Sequence, residues 1–199
     1  MTPPLILASR SPSRAELLRQ AGVTVEIMPA SVDEAAIKAT MEAEGAAARD
    51  IADALAEFKA RRVSARHTSR VVLGADQVLV CEGRKFDKPR DLAETREHLA
   101  FLRGKTHELL SAAVIYERGA PVWRDIGRAE MVMRPFSDGF LGAYLADQGE
   151  ALLGTVGAYR LEAGGAQLFT RVQGDYFSVL GLPLLEVLGF LRSRGLCRE

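Results

Sequence analysis

The stretch Leu5–Gly22, LILASRSPSRAELLRQAG, constrains the chain more than any other, because it prescribes a buried strand, a polar loop and a helix in immediate succession. Leu5, Ile6, Leu7 and Ala8 form an unbroken apolar run, the pattern of a strand covered on both faces. Ser9, Arg10, Ser11 and Pro12 then make the turn. With Ser11 as N-cap and Pro12 at the first helical position, where a missing N–H costs nothing, the helix spans Ser13–Ala21 and stops at Gly22. Leu17 and Leu18 fall on its inner face. The first-turn amides, the hydroxyls of Ser9 and Ser11 and the guanidiniums of Arg10 and Arg14 converge at the other end. Unpaired helix amides, a positive dipole end and arginine forks suit an anion, phosphate above all. The loop lacks the glycine-rich fingerprints of a P-loop or a dinucleotide fold, so a plain strand–loop–helix with two surface arginines also stays open.

The 199 residues suffice for one sizeable core, or for two lobes sharing a cleft. Basic and acidic residues balance at 26 each, leaving no net charge to draw the chain to nucleic acid or an anionic membrane. The two cysteines, Cys81 and Cys197, lie far apart without metal-ligand spacing, which fits a reducing compartment rather than a disulfide framework. No run approaches the roughly 20 continuous apolar residues of a membrane span, and no basic segment precedes a long apolar run at the start. A soluble, cytoplasmic protein acting on a small molecule is expected.

After a short strand at Thr24–Met28, the segment PASVDE ends in Asp33 and Glu34, which suit either a divalent cation or the solvated start of a helix. Ile51, Ala54, Leu55, Phe58 and Val63 give Ala48–Ala65 a helical apolar stripe, with Lys59 at its edge. Arg70–Val80, RVVLGADQVLV, is the second informative element. Val71–Leu73 is a buried strand, Gly74-Ala75 allows a turn or a close approach, and the apolar run resumes at Val78. A carboxylate amid Val and Leu is expensive to bury unless paired or metal-bound, which makes Asp76 a functional candidate. Lys88 precedes Pro89 and so sits on extended or turn backbone. A lysine beside a buried carboxylate is what a polyphosphate–metal site needs.

Asp91–Leu102 reads as a helix with Leu92, Thr95, Leu99 and Leu102 inward. Thr106–Glu117 and Val122–Val132 read as strands joined at Arg118-Gly119, with His107 a hydrogen-bonded structural residue. Ser137 caps a helix over Asp138–Asp147 with Phe140, Leu141 and Tyr144 inward. The glycine-rich run Gly149–Gly165 carries Tyr159, Leu161 and Glu162, which argues for a functional loop. Strands at Gln167–Val172 and Phe177–Gly181 and a last helix, Leu184–Arg194, complete a single α/β domain. Its mixed twisted sheet is flanked by helices, and the polar loops line a cleft at the strand ends.

Taken together, LILASRSPSRAELL, VDE, the helix carrying Lys59-Ala60, VLGADQV, DKP, RGKTHE, GAYRLEAGG and VQGDYFSVLGLPL resemble, in order and spacing, the Maf family of nucleoside triphosphate pyrophosphatases. The resemblance implies two lobes around a central cleft, an inosine-triphosphatase-like architecture. It implies hydrolysis of a nucleoside triphosphate to the monophosphate and pyrophosphate with Mg²⁺ or Mn²⁺, a housecleaning role and frequent dimers. By position, Asp76 matches the proton acceptor, Ser9, Ser11 and Arg14 the phosphate loop, and Glu34 and Lys59 the acid and base of the cleft. Lys88 matches the lysine of a GKP-like motif in which Asp87 replaces glycine. Glu34 and Asp76 would hold the metal. Three positions bear on specificity: Ser13 for a second arginine, Gln77 for threonine, and Glu162 for glutamine of the dTTP/UTP branch. Gln77 and Glu162, with Gly154-Thr155 in place of an Asp-Lys pair, resemble the 7-methyl-GTP branch instead. A nucleotide-binding regulator of septum formation is the other function that the resemblance implies.

Overall fold

The computed structural model describes residues 3–197. The first apolar run becomes β1 (Leu5–Leu7), buried throughout. The helix signal after it becomes α1 (Pro12–Gln20), whose N-cap Ser11 accepts the Arg14 amide. The chain continues through β2 (Val25–Ile27), α2 (Glu34–Ala43) and α3 (Ala48–Ser64) into the long β3 (Val71–Cys81). Next come β4 (Arg84–Phe86), α4 (Leu92–Leu102), β5 (Thr106–Glu117), β6 (Ala120–Met133) and α5 (Asp138–Gln148). Two 3₁₀ turns, Gly149–Gly154 and Gly164–Leu168, lead to β7 (Phe169–Gly174), α6 (Tyr176–Val179) and α7 (Leu184–Ser193).

One seven-stranded sheet runs in the order β2-β1-β3-β5-β6-β7, with β4 pairing β3. Helical crossovers make β2, β1 and β3 parallel, whereas β3, β5, β6 and β7 are antiparallel neighbours. The mixed sheet with flanking helices is the expected one. Its apolar side chains form three clusters. One lies under α1 and α7 around Leu5, Leu18, Leu73 and Val187, and a second under α3 around Ile6, Ile51, Leu55 and Val72. The third fills the other half of the molecule, where Leu79, Phe86, Leu99, Met131 and Leu141 bring β3, β4, α4, β6 and α5 together. β3 reaches from the first pair of clusters into the third, and the cleft opens where the two halves part.

Within β3 the alternation of faces sends Leu73 and Ala75 towards α1 and α7, and Val72 and Val78 towards α3. Gly74 and Asp76 therefore share the α3 side. The chain does not turn at Gly74-Ala75. The strand runs straight through, and the glycine serves the alternative reading, close approach. A Cβ there would lie 2.2 Å from the Ala56 carbonyl oxygen and 2.6 Å from the Ala60 nitrogen.

Other boundaries differ from the sequence reading for local reasons. Phe177–Gly181 is not a strand: the Asp175 carboxylate caps α6 by accepting the Ser178 amide at 2.7 Å, and Gly181, at φ 102°, ends the turn. Leu92 points outward at 41% exposure, being the first residue of α4, while Thr95, Leu99 and Leu102 are buried. Asp33 caps α2, a helix with no buried residue. Ion pairs Lys38–Asp87 at 2.5 Å and Lys85–Glu42 at 3.6 Å tie that helix to the β4 side. Among the described residues no helix is long and apolar enough to cross a membrane.

Candidate active site

The cleft between the halves is a cavity of about 710 Å³, within the range of small-molecule sites. Its wall on one side is the β1–α1 loop. Ser9 Oγ accepts from the Ser11 amide at 3.2 Å and from Arg14 Nη1 at 3.1 Å, so both its lone pairs are used and its hydroxyl proton is left to donate. Arg14 is buried. Its Nε donates to the Gly181 carbonyl at 2.8 Å, and Nη1 also donates to the Ala75 carbonyl at 3.1 Å. The two N–H groups of Nη2 are uncommitted among the described residues. Burial pulls the Arg14 pKa below its ordinary value, and the charges of Asp76 and Glu34 oppose that shift. Ser11, Ser13 and Arg10 complete this wall, Arg10 and Ser13 exposed to solvent.

Deeper in the cleft, three elements meet on one lysine. Lys59, on the inner side of α3, donates to Asp76 Oδ1 at 2.6 Å and to Glu34 Oε2 at 2.8 Å. The lysine is 7% exposed and Asp76 8%, so each is viable there because the other is present. Glu34 opens α2 and is half-exposed, the solvated helix start that the sequence allowed, and it lines the cleft. The second oxygens, Asp76 Oδ2 and Glu34 Oε1, accept from no described residue. Two carboxylates with free oxygens fit Mg²⁺ or Mn²⁺, which bind through one or two carboxylates together with substrate phosphates and water. Lys88 faces the same space without an ionic partner among the described residues. Burial lowers its pKa, as do the nearby charges of Arg14 and Lys59, against the opposing pull of Glu34 and Asp76. An arriving anion would relieve that strain.

The family model described as Maf-like protein matches residues 4–194. The chain belongs to the Maf family. A nucleoside triphosphate pyrophosphatase of Granulibacter bethesdensis is 52% identical over 95% of this chain and 96% of its own length. Another, from a Ruegeria species, is 49% identical over the whole of both chains. A Rhizobium etli protein named 7-methyl-GTP pyrophosphatase is 47% identical over 98% of each chain.

In this Maf protein the far end of the cleft is apolar, lined by Phe86, Leu109, Val156, Tyr159, Leu161 and Val179, with Glu162 among them as a carboxylate. Glu162 is exposed and lies 3.1 Å from Arg160. The glycine-rich run thus supplies cleft wall, opening with one 3₁₀ turn and reaching the start of a second, with Val156, Tyr159, Leu161 and Glu162 on the irregular stretch between them. Gln77 also lines the cleft, and its Nε2 donates to Ser111 Oγ at 3.0 Å and to the carbonyls of Ser178 at 3.1 Å and Val179 at 3.0 Å. Sequence reasoning missed those carbonyls and the Lys38–Asp87 pair. Main-chain acceptors carry no residue signature, and the ion pair joins segments 49 positions apart.

Tyr159 is anchored from below by His107, whose Nε2 lies 2.8 Å from the tyrosine hydroxyl in a buried contact. His107 is therefore the structural residue expected. Its Nδ1 has no partner, and burial holds its pKa down, from 6.5 to about 4. Between those values the unfolded chain binds a proton that the folded Maf protein does not. Stability contributed by the neutral ring is complete above pH 6.5 and is lost as pH falls towards 4, with a slope of up to about 1.4 kcal/mol per pH unit. Urea melts of wild type and of His107→Phe combined with Tyr159→Phe are expected to show that slope only in wild type. Identical slopes would remove His107 as its source.

Proposed function

We propose that this chain, a nucleoside triphosphate pyrophosphatase, acts on a guanine nucleotide with a positively charged ring, 7-methyl-GTP being the type. The observation that carries the reading is the lining of the cleft, which holds cationic and hydroxyl donors, Asp76, and an apolar set of side chains together with Glu162. A carboxylate accepts from both N1–H and N2–H₂ of guanine and favours a cationic ring, whereas glutamine presents a donor and an acceptor to a pyrimidine edge. The Rhizobium etli relative's name supports the same choice.

The triphosphate is placed with its phosphates on Ser9, Ser11 and Arg14, and Lys88 meets the outer ones. Asp76 orients a water and takes its proton as the oxygen attacks the α-phosphorus. The bond from that phosphorus to the bridging oxygen breaks, and pyrophosphate leaves with charge that Arg14 and Lys88 stabilise. Lys59 holds Asp76 and Glu34 in register before substrate arrives. Glu34 and Asp76 would hold Mg²⁺ or Mn²⁺, which when bound neutralises phosphate charge and polarises the reacting centre. The charges of the cleft support that requirement. Arg10, Arg14, Lys38, Lys59 and Lys88 are balanced by Glu34, Glu42, Asp76, Asp87 and Glu162, so the cavity alone offers a polyanion no net positive field.

The test is a pyrophosphate-release screen over ordinary and modified nucleoside triphosphates, with and without a chelator. The expected result is metal-dependent release greatest for 7-methyl-GTP, together with a shift of Glu162→Gln towards dTTP and UTP. A hydrogen-bonding mismatch of this kind is worth about tenfold or more in relative kcat/KM. Preference of the wild type for dTTP or UTP overturns the specificity and leaves the chemistry. Nucleotide binding without release on any substrate favours the regulator.

A further inference from the structure

Gln77 and Arg14 are parts of one closed circuit of hydrogen bonds. From β3 the Ala75 carbonyl accepts Arg14 Nη1 at 3.1 Å, and Arg14 Nε donates to the Gly181 carbonyl at 2.8 Å. Gly181 follows α6, whose Ser178 and Val179 carbonyls accept Gln77 Nε2 at 3.1 and 3.0 Å, and Gln77 returns the circuit to β3 two residues after Ala75. Both carbonyls are acceptors only, which fixes the amide: its nitrogen faces α6. Ser111, on the neighbouring strand β5, adds a bond to the Ser178 carbonyl at 2.7 Å. The segment is also pressed into place, since a Cβ at Gly127 of β6 would lie 2.0 Å from Ser178 Oγ. Gly181 itself is at φ 102°, a conformation that a side chain would strain, and its Cβ would meet Arg14 Nε at 3.4 Å.

We infer that Gln77 is a positioning residue for phosphate binding, acting through α6 and Gly181 on the guanidinium of Arg14, rather than a direct reader of the base. Two of the five N–H groups of Arg14 serve the circuit, a third goes to Ser9 Oγ, and together they aim the remaining two. Loss of the Gln77 strut loosens the segment that carries the Gly181 carbonyl, the acceptor that orients Nε. The inference rests on Arg14 being the phosphate ligand proposed above, and the experiment separates the two.

Inorganic tripolyphosphate, which has no base, is the probe, added with Mg²⁺, and its binding to the full chain is measured by calorimetry. Gln77→Met keeps the length of the side chain and removes its donors. The expected result is roughly tenfold weaker tripolyphosphate binding, the scale of a hydrogen bond to a charged group, with the ranking of nucleotides unchanged. Ser111→Ala is expected to shift affinity the same way by less. Arg14→Ala should weaken binding too, and Gln77→Met should add little on that background, because the strut then has nothing to aim. Wild-type affinity in Gln77→Met with an altered nucleotide ranking would overturn the inference and make Gln77 a base reader. Full additivity with Arg14→Ala would also overturn it, as general loosening. Unchanged affinity in Arg14→Ala, or no binding by wild type, would remove the phosphate reading itself and the inference with it.

Discussion

Asp76→Asn is expected to lower kcat by about 10²–10⁴-fold while nucleotide binding survives. The two side chains are nearly the same shape, and the amide oxygen can still accept from Lys59, which also keeps its 2.8 Å contact with Glu34. What disappears is the group that takes the proton from water and one anion of the pair facing the phosphates. In metal-free buffer, removing a negative charge from a polyanion site relieves repulsion, so affinity there should hold or rise. The split is the diagnostic: kcat falls by orders of magnitude and the calorimetric Kd does not worsen. Retention of full turnover would remove Asp76 as the base. A parallel collapse of binding would point instead to a structural role for the Lys59–Asp76 pair.

The second large effect lies two residues upstream. Gly74→Ala should destabilise the fold by roughly 1–3 kcal/mol, a Tm fall of about 2–12 °C for a chain of this size. The new methyl would stand 2.2 Å from the Ala56 carbonyl oxygen and 2.9 Å from Ala60 Cβ, so α3 must move off the sheet. Lys59 lies between those two alanines and would move with the helix. Displacement by an ångström at a catalytic group can cost about 10²-fold, so turnover should fall in protein that is still folded. Gly189→Ala is the control, because a Cβ at that position of α7 meets nothing within 4 Å. A Gly74→Ala protein with wild-type Tm and kcat would mean that the contact between β3 and α3 is slack.

What could be read from the sequence was whatever is encoded locally. Ser11 and Pro12 announce α1 by capping chemistry, and Val-Leu alternation around Asp76 announces a carboxylate that needs a partner. The burial of its partner, Lys59, is not legible there, since helical spacing alone places it at the edge of a stripe. It is buried because two carboxylates from other elements reach it, 25 and 17 residues away in the chain. The helix at Tyr176–Val179 was hidden by residues that suit a strand, although Asp175 three places before Ser178 is a cap signal. The hydrogen bonds of Gln77 were beyond sequence reading, because its partners are Ser111 Oγ, 34 positions away, and main-chain carbonyls 101 and 102 positions away.

The helix that carries Glu34 has no buried side chain, yet it delivers one of the two carboxylates on Lys59. α2 meets the core through the half-buried Ile37 and Met41 and is otherwise tied by the ion pairs of Lys38 and Glu42, which places it low on a protein's ladder of local opening free energies. It is expected to open more readily than the sheet, α1 and α3. The aspartate belongs to the central strand of the sheet and the glutamate to a peripheral helix, so the two halves of the acidic pair rest on supports of unequal stability.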